Sequence, residues 1–198
     1  MQIAAATPQS FVPSATAMFV DAQRAGDLNV VAIGWSDSTA DVADVSDTAG
    51  NGYRLAVGPT RTGGASQSIY YASGIAASPA GNSVHVRFAR DVPRADLRVV
   101  EYSGLDRAMP LDGVAAMSGG GTMATSGAAT TAESIELVFG AGTSTDAFSD
   151  AGALFALRIV TADGNIVEDR IVASPGTYSA DAVLPDSVDW VMQLATFR

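Results

Sequence analysis

The chain of 198 residues contains no cysteine, a single histidine and only fourteen aromatic side chains, two of them tryptophan. Lysine is also missing, so all eleven basic residues are arginine. Each shortage excludes something. Without cysteine there is no thiol catalysis, no disulfide scaffold and no cysteine-based zinc site. With His85 alone, a Ser–His–Asp triad has one base to draw on, no Gly-x-Ser-x-Gly elbow accompanies it, and zinc would need three carboxylates beside it. Against 21 acidic residues the arginines leave a formal net charge of −10. That sign disfavours nucleic acid, whose phosphates are held by clustered Lys and Arg, and it disfavours anionic membrane surfaces. No apolar run approaches the ~20 residues of a membrane span. The segment Met1–Pro8 has neither the basic nor the apolar region of a signal peptide, so it reads as the start of a piece excised from a larger protein.

What the chain does have is apolar material and turn residues. Hydrophobic residues make up 47%, charged ones 16%, and there are 20 glycines. This is a core-forming composition rich in short strands and tight turns, and long enough to bury a core unaided. The apolar pattern is period two or a short continuous run. Leu28 to Trp35 is nearly unbroken, which predicts a central strand covered on both faces. Ser83 to Phe88 alternates, placing Val84, Val86 and Phe88 inward and His85 and Arg87 outward. Further strands are expected at Thr16–Val20, Val42–Val45, Tyr53–Val57, Ser68–Ala72, Leu97–Tyr102, Ile135–Gly140, Leu154–Val160, Asn165–Val172, Thr177–Ala182 and Trp190–Phe197. Asp47–Gly52 and Ala162–Asn165 read as hairpin turns. Met117–Ala132, rich in Gly, Ala, Ser and Thr, reads as a flat edge strand or a long loop. Helix, if any, is limited to single turns at Asp91–Asp96 and Asp146–Ala151. The expected fold is all-β: a single jelly-roll-like β-sandwich over 1–198 with about a dozen mostly antiparallel strands, and 1–13 as an extended N-terminal segment.

Several phrases carry a resemblance: Gly26-Asp27-Leu28-Asn29-Val30-Val31 through Gly34-Trp35, Asp47-Thr48-Ala49-Gly50-Asn51 through Tyr53, Ser66-Gln67-Ser68-Ile69-Tyr70-Tyr71-Ala72, Glu101-Tyr102-Ser103-Gly104-Leu105-Asp106, Glu168-Asp169-Arg170, and Trp190 to Phe197. Together they resemble a β-sandwich module that recurs in large modular secreted and surface proteins of bacteria. The resemblance implies neighbours among carbohydrate-active and adhesive domains, and brings no catalytic residues with it.

Three constellations could carry chemistry. Sugars stack on aromatic faces with polar groups around them, which points to Tyr70 as the exposed platform, with Trp35 or Tyr53 beside it and Asp37 close to Trp35. Calcium takes oxygen ligands from acidic, flexible turns, which points to Asp44, Asp47 and Asp163. Glu101, Glu168 and Asp169 are the carboxylates of interest for glycoside chemistry; alternation sets Glu168 and Arg170 on one face and Asp169 on the other. The expectation from sequence is a non-catalytic extracellular module that binds a polysaccharide or cell-surface glycan, needing no cofactor apart from a calcium option, without nucleic acid or membrane insertion. The alternatives are a structural or adhesive domain with no small-molecule site, and a jelly-roll polysaccharide-active enzyme.

Overall fold

In the computed structural model, which describes residues 1–198, every regular element is a strand. The first eight are β1 (Gln2–Ala6), β2 (Val12–Met18), β3 (Leu28–Trp35), β4 (Val42–Asp47), β5 (Arg54–Arg61), β6 (Ser66–Ser73), β7 (Ser83–Val92) and β8 (Asp96–Tyr102). The last six are β9 (Leu111–Thr131), β10 (Glu136–Ser144), β11 (Asp150–Ala151), β12 (Ala156–Val160), β13 (Ile166–Val172) and β14 (Gly176–Phe197).

β1 pairs with β8, β2 with β7 and β3 with β6, all antiparallel. The first half is therefore one long hairpin rolled on itself into two sheets, β1-β8-β3-β6-β5 and β2-β7-β4. This is jelly-roll winding, with β5 beside β6 instead of β4. The segment Asp47–Gly52 is consequently not a hairpin. β4 belongs to the three-stranded sheet and β5 to the five-stranded one, because the roll sends the chain across the sandwich at this point. Ala162–Asn165 does join paired strands, β12 and β13.

The second half adds a third antiparallel sheet, β11-β14-β10-β13-β12 with β9 on β14. None of the three sheets closes into a barrel, and the molecule is the expected all-β sandwich, with its fourteen strands in three open antiparallel sheets. The five-stranded sheet lies in the middle. Val31, Ile33, Trp35, Leu97 and Val99 pack against Val84, Val86 and Phe88 of β7. From the opposite face Leu28, Val30, Ala32, Ile69 and Val100 pack against Leu137, Phe139, Val167 and Phe197 of the third sheet. Every residue of β3 and β8 is buried, which accounts for the unbroken apolar run of β3.

β9 and β14 form a ribbon that doubles back on its own sheet. Their register slips between Val183 and Val188, and beyond that bend Ala124, Ala129, Ala180 and Ala182 cover Val138, Ile166, Met192 and Leu194. Small residues permit the approach: a Cβ on Gly140 would come 2.7 Å from that of Ala180. The expected strands Thr177–Ala182 and Trp190–Phe197 are two arms of one bent strand, and the ambiguous stretch Met117–Ala132 lies almost wholly within β9. Residues expected as extended at the N-terminus form β1 and the start of β2. Neither single-turn helix candidate is helical: Asp91 and Val92 finish β7, and Asp150 and Ala151 are β11.

Candidate functional site

The aromatic patch expected from sequence does not assemble at the surface. Trp35 is 1% exposed and packs on Phe88 with ring centroids 5.6 Å apart. It lies on the inner face of β3, so it offers no platform. Asp37, two residues on, caps a turn: its Oδ1 accepts the Thr39 and Ala40 backbone N–H groups at 2.6 and 2.7 Å, and both its oxygens accept from Arg90 at 3.0 Å. The Thr39 N–H above all, with Ala40 and Arg90, outweighs burial and holds this carboxyl well below the usual range. Tyr70 is half-buried against the first core, not fully exposed. Burial, and then the charge of Asp41, push its hydroxyl pKa up.

The calcium set does not assemble either: no three carboxylate or histidine side chains stand close enough to hold a metal ion. Asp44 is exposed and accepts from Ser46 at 3.2 Å. Asp163, in the β12–β13 turn, accepts from Gln9 at 2.9 Å and faces Arg94 at 3.6 Å. Asp47 is occupied by protein donors.

Those donors define the most organised polar region near the surface. Asp47 accepts from the backbone and side chain of Asn51 at 2.9 and 2.7 Å, from Tyr53 Oη at 3.1 Å and from Asn82 at 3.2 Å. Burial pushes its pKa up, and these four bonds more than offset that, so it lies below the ordinary value. Tyr53 Oη also accepts from Asn29 at 3.2 Å, Asn29 accepts from Gln23 at 2.8 Å, and Gln23 accepts from Asn82 at 2.6 Å, closing a ring. Tyr53 is thus a half-buried linker whose pKa is raised by burial and by the adjacent Asp47 charge. Of the sequence-predicted residues, only Tyr53 and Asp47 are brought together.

This ring sits at one end of the jelly roll, between two surface depressions. Gln2, Glu101 and Asn29 lie side by side across β1, β8 and β3. Glu101 accepts from Gln2 through Oε2 at 2.7 Å, whereas its buried Oε1 has no partner. The depression beside it, about 280 Å³, is bordered by Gln2, Asp21, Arg24, Asp27, Glu101 and Ser103. On the far side of Gln23, whose backbone pairs with Ser78, a second depression of about 240 Å³ is lined by Thr48, Ser78 and Asn82. Ser78 Oγ is likewise buried without a partner. Buried polar atoms ordinarily find partners. These two are among nine buried side-chain atoms without a hydrogen bond, the others including both tryptophan Nε1 atoms, Asp163 Oδ2 and Glu168 Oε1. They are the two that lie beside surface depressions.

Elsewhere the buried charges are consumed by the fold. Arg98 and Asp96, both 0% exposed, pair at 2.8 Å between the central and third sheets. Arg98 also donates to the carbonyls of Gly142 and Ile166 at 2.9 and 2.8 Å, to Gln67 at 3.1 Å and to Thr143 at 3.2 Å. Gln67 points inward, as the alternation of β6 predicts, and donates to Ala141 O at 2.8 Å. A Cβ on Gly34 would lie 2.5 Å from Thr143 Oγ1, so only glycine admits this packing. Asp169 faces the central sheet, accepting from Tyr102 at 2.5 Å and from Arg158 at 2.8 and 2.7 Å. Glu168 faces the other way and accepts from the Gly152 N–H at 2.7 Å. Burial under the folded ribbon pushes its pKa up to about 7, with the charges of Asp181 and Asp169 adding to the effect.

On that same outer face Arg170 stacks on Phe155 and Tyr178, 5.7 and 5.4 Å from the ring centroids. His85 points outward from β7 and shares a hydrogen bond of 2.9 Å with Thr16. Sequence reasoning missed the Arg98 system, because alternation along β8 does not reveal that both of its faces are covered. It missed the orphaned oxygens too. The signal present was the polar row Gln2, Glu101 and Asn29, legible only once β1 is recognised as a strand. Neither a family model, nor a curated protein, nor a solved structure matches this chain.

Proposed function

We propose that this chain is a non-catalytic extracellular module of a larger surface or secreted protein, binding a hydroxyl-rich ligand, a polysaccharide or cell-surface glycan, at the polar end of its jelly roll. The observation that carries the reading is the pair of buried, unpartnered oxygens, Glu101 Oε1 and Ser78 Oγ, beside depressions on either side of Gln23. Sugar hydroxyls donate and accept at once. They suit a carboxylate that lacks a donor and a serine that lacks any partner, and an acidic rim of Asp21 and Asp27 offers further acceptors. The non-catalytic part of the reading is supported by where the acid–base groups lie. Glu168, whose pKa suits proton transfer, is sealed at 0% exposure, and exposed His85 has only Thr16 beside it. Affinity electrophoresis through gels containing different polysaccharides, followed by a glycan array, tests the proposal. Retention on at least one glycan, reduced by Glu101→Ala and by Ser78→Ala, is expected; no retention on any of them overturns it.

A structural or adhesive role is the second reading. It is favoured by a separate feature, the stretch Gly113–Thr131 of β9, which contains no charged residue.

A further inference from the structure

Several acidic side chains of this protein are claimed by their neighbours. Asp37, Asp47, Asp106 and Asp169 each accept two or more bonds from the chain itself. The depression beside β1 and β8 is different. Three carboxylates border it, those of Asp21, Asp27 and Glu101. Asp21 bonds Gln2 through its backbone alone, and Asp27 reaches Arg24 and Ile75 the same way, so both side chains keep their oxygens free. Glu101 is 6% exposed; its Oε2 accepts from Gln2, and its buried Oε1 has no partner. Arg24 and Met1 also border the depression, but neither the guanidinium nor the terminal amino group is in an ion pair.

We infer that this depression takes a sugar bearing a free ammonium group, as in glucosamine polymers, in preference to neutral, N-acetylated or anionic sugars; the inference rests on the glycan reading above. An ammonium has three donors and no acceptor, which suits a lining whose unclaimed atoms are carboxylate oxygens. A charge-assisted hydrogen bond is about twice as strong as a neutral one, and the buried Glu101 oxygen, which has no donor at all, gains most from it. A metal ion is a poorer fit, because no three carboxylates of this chain stand close enough to hold one. An amino sugar spreads its donors instead, with the ammonium on one carbon and hydroxyls on the next, and so reaches carboxylates that are set apart. The wider field acts in the same sense. A net charge of −10 draws in a cationic polymer and repels uronate and sulfated glycans.

Calorimetric titration of the whole chain with tetramers of glucosamine, of N-acetylglucosamine and of a uronic acid, and with tetralysine, tests this. The glucosamine tetramer should bind at least about tenfold more tightly than any of the others, the effect of one hydrogen bond to a charged group, and sodium chloride should narrow that margin. Glu101→Gln, which removes the charge and keeps the shape, should erase most of it. Asp186→Asn, which removes a charge from the exposed bend of β14, should leave it unchanged, with thermal unfolding confirming that both variants are folded. Equal binding of the free and N-acetylated sugars, or a margin that survives Glu101→Gln, overturns the ammonium assignment and leaves the glycan reading standing. Tetralysine bound as tightly as the glucosamine tetramer reveals a surface that reads charge alone, and overturns it too. No binding of any tetramer overturns this inference, and if the polysaccharide gels also show no retention the glycan reading falls with it.

Discussion

Two of the buried polar systems of this protein, the one around Arg98 and the one around Asp47, differ in whether every nearby polar atom has a partner. Around Arg98, the ion pair itself holds Arg98 Nε against Asp96 Oδ1, and carbonyls, an amide and a hydroxyl take up the remaining guanidinium donors, all between two sheets that bury both charges. Around Asp47 the ring of Tyr53, Asn29, Gln23 and Asn82 is also bonded, but it sits beside depressions where Glu101 and Ser78 each leave an oxygen unmatched. A closed system spends its hydrogen-bonding capacity on uniqueness of the fold. One that ends in orphans retains capacity for something else.

The hardest blow to the closed system is Arg98→Met. It strands Asp96 as an uncompensated buried charge and should cost roughly 3–5 kcal/mol in urea unfolding. Asp96→Leu/Arg98→Met should recover part of that loss. If the single and double variants are equally destabilised, the system is not a charge pair at heart.

Glu168 gives the next largest effect, with the opposite sign. Its native pKa of about 7 lies above its ordinary 4.5, so the folded state holds a proton that the unfolded chain releases. Stability therefore falls as pH rises from about 4.5 to 7 and levels off above that. Glu168→Gln keeps an acceptor for the Gly152 N–H and removes the loss, raising stability by up to about 3 kcal/mol at pH 8. A denaturant series at several pH values reads both the gain and the flattened profile.

In the open-ended system, Tyr53→Phe removes the hydroxyl shared by Asn29 and Asp47 and should cost about 1–2 kcal/mol. Asp47 should then titrate higher by carboxyl NMR. Its native pKa lies below the unfolded value, so its contribution is present above that value and fades as pH falls through the native one. The smallest stability effects belong to the orphans. Ser78→Ala and Glu101→Gln should change unfolding by no more than about 0.5 kcal/mol, because no internal bond is lost at either oxygen. A large loss in either variant would place those atoms with the closed system instead.

Much of this arrangement was legible in the sequence, and the failures have definite causes. The unbroken run of β3, the alternation of β7, the inward Gln67 and the opposed faces of Glu168 and Asp169 all follow from period-two geometry. β1 escaped because Gln2–Ala6 contains one strong strand former, Ile3, and owes its state to pairing with β8. β9 looked ambiguous because Gly, Ala, Ser and Thr have weak preferences; β14 supplies the hydrogen bonds that decide it. The sequence offers Trp35 as a candidate sugar platform beside its commoner role as a core anchor, and the depth of β3 in the stack chooses the core. The Asp47 turn was misjudged because local turn chemistry does not say which sheet the chain enters next.

The central sheet's position between two others sets the order in which this protein can be made. A nascent chain that has reached Tyr102 holds every strand of the jelly roll, but Leu28, Val30, Ala32, Ile69 and Val100 still lack the cover that Leu137, Phe139, Val167 and Phe197 provide. Until β10, β13 and the last residues of β14 have been made, the first half carries an oily wall, the kind of transient surface on which large chains misassemble. A fragment ending at Tyr102 should bind a hydrophobic dye such as ANS, and the whole chain should not. The last residues of β14 are therefore the stopper of the fold as well as its final strand.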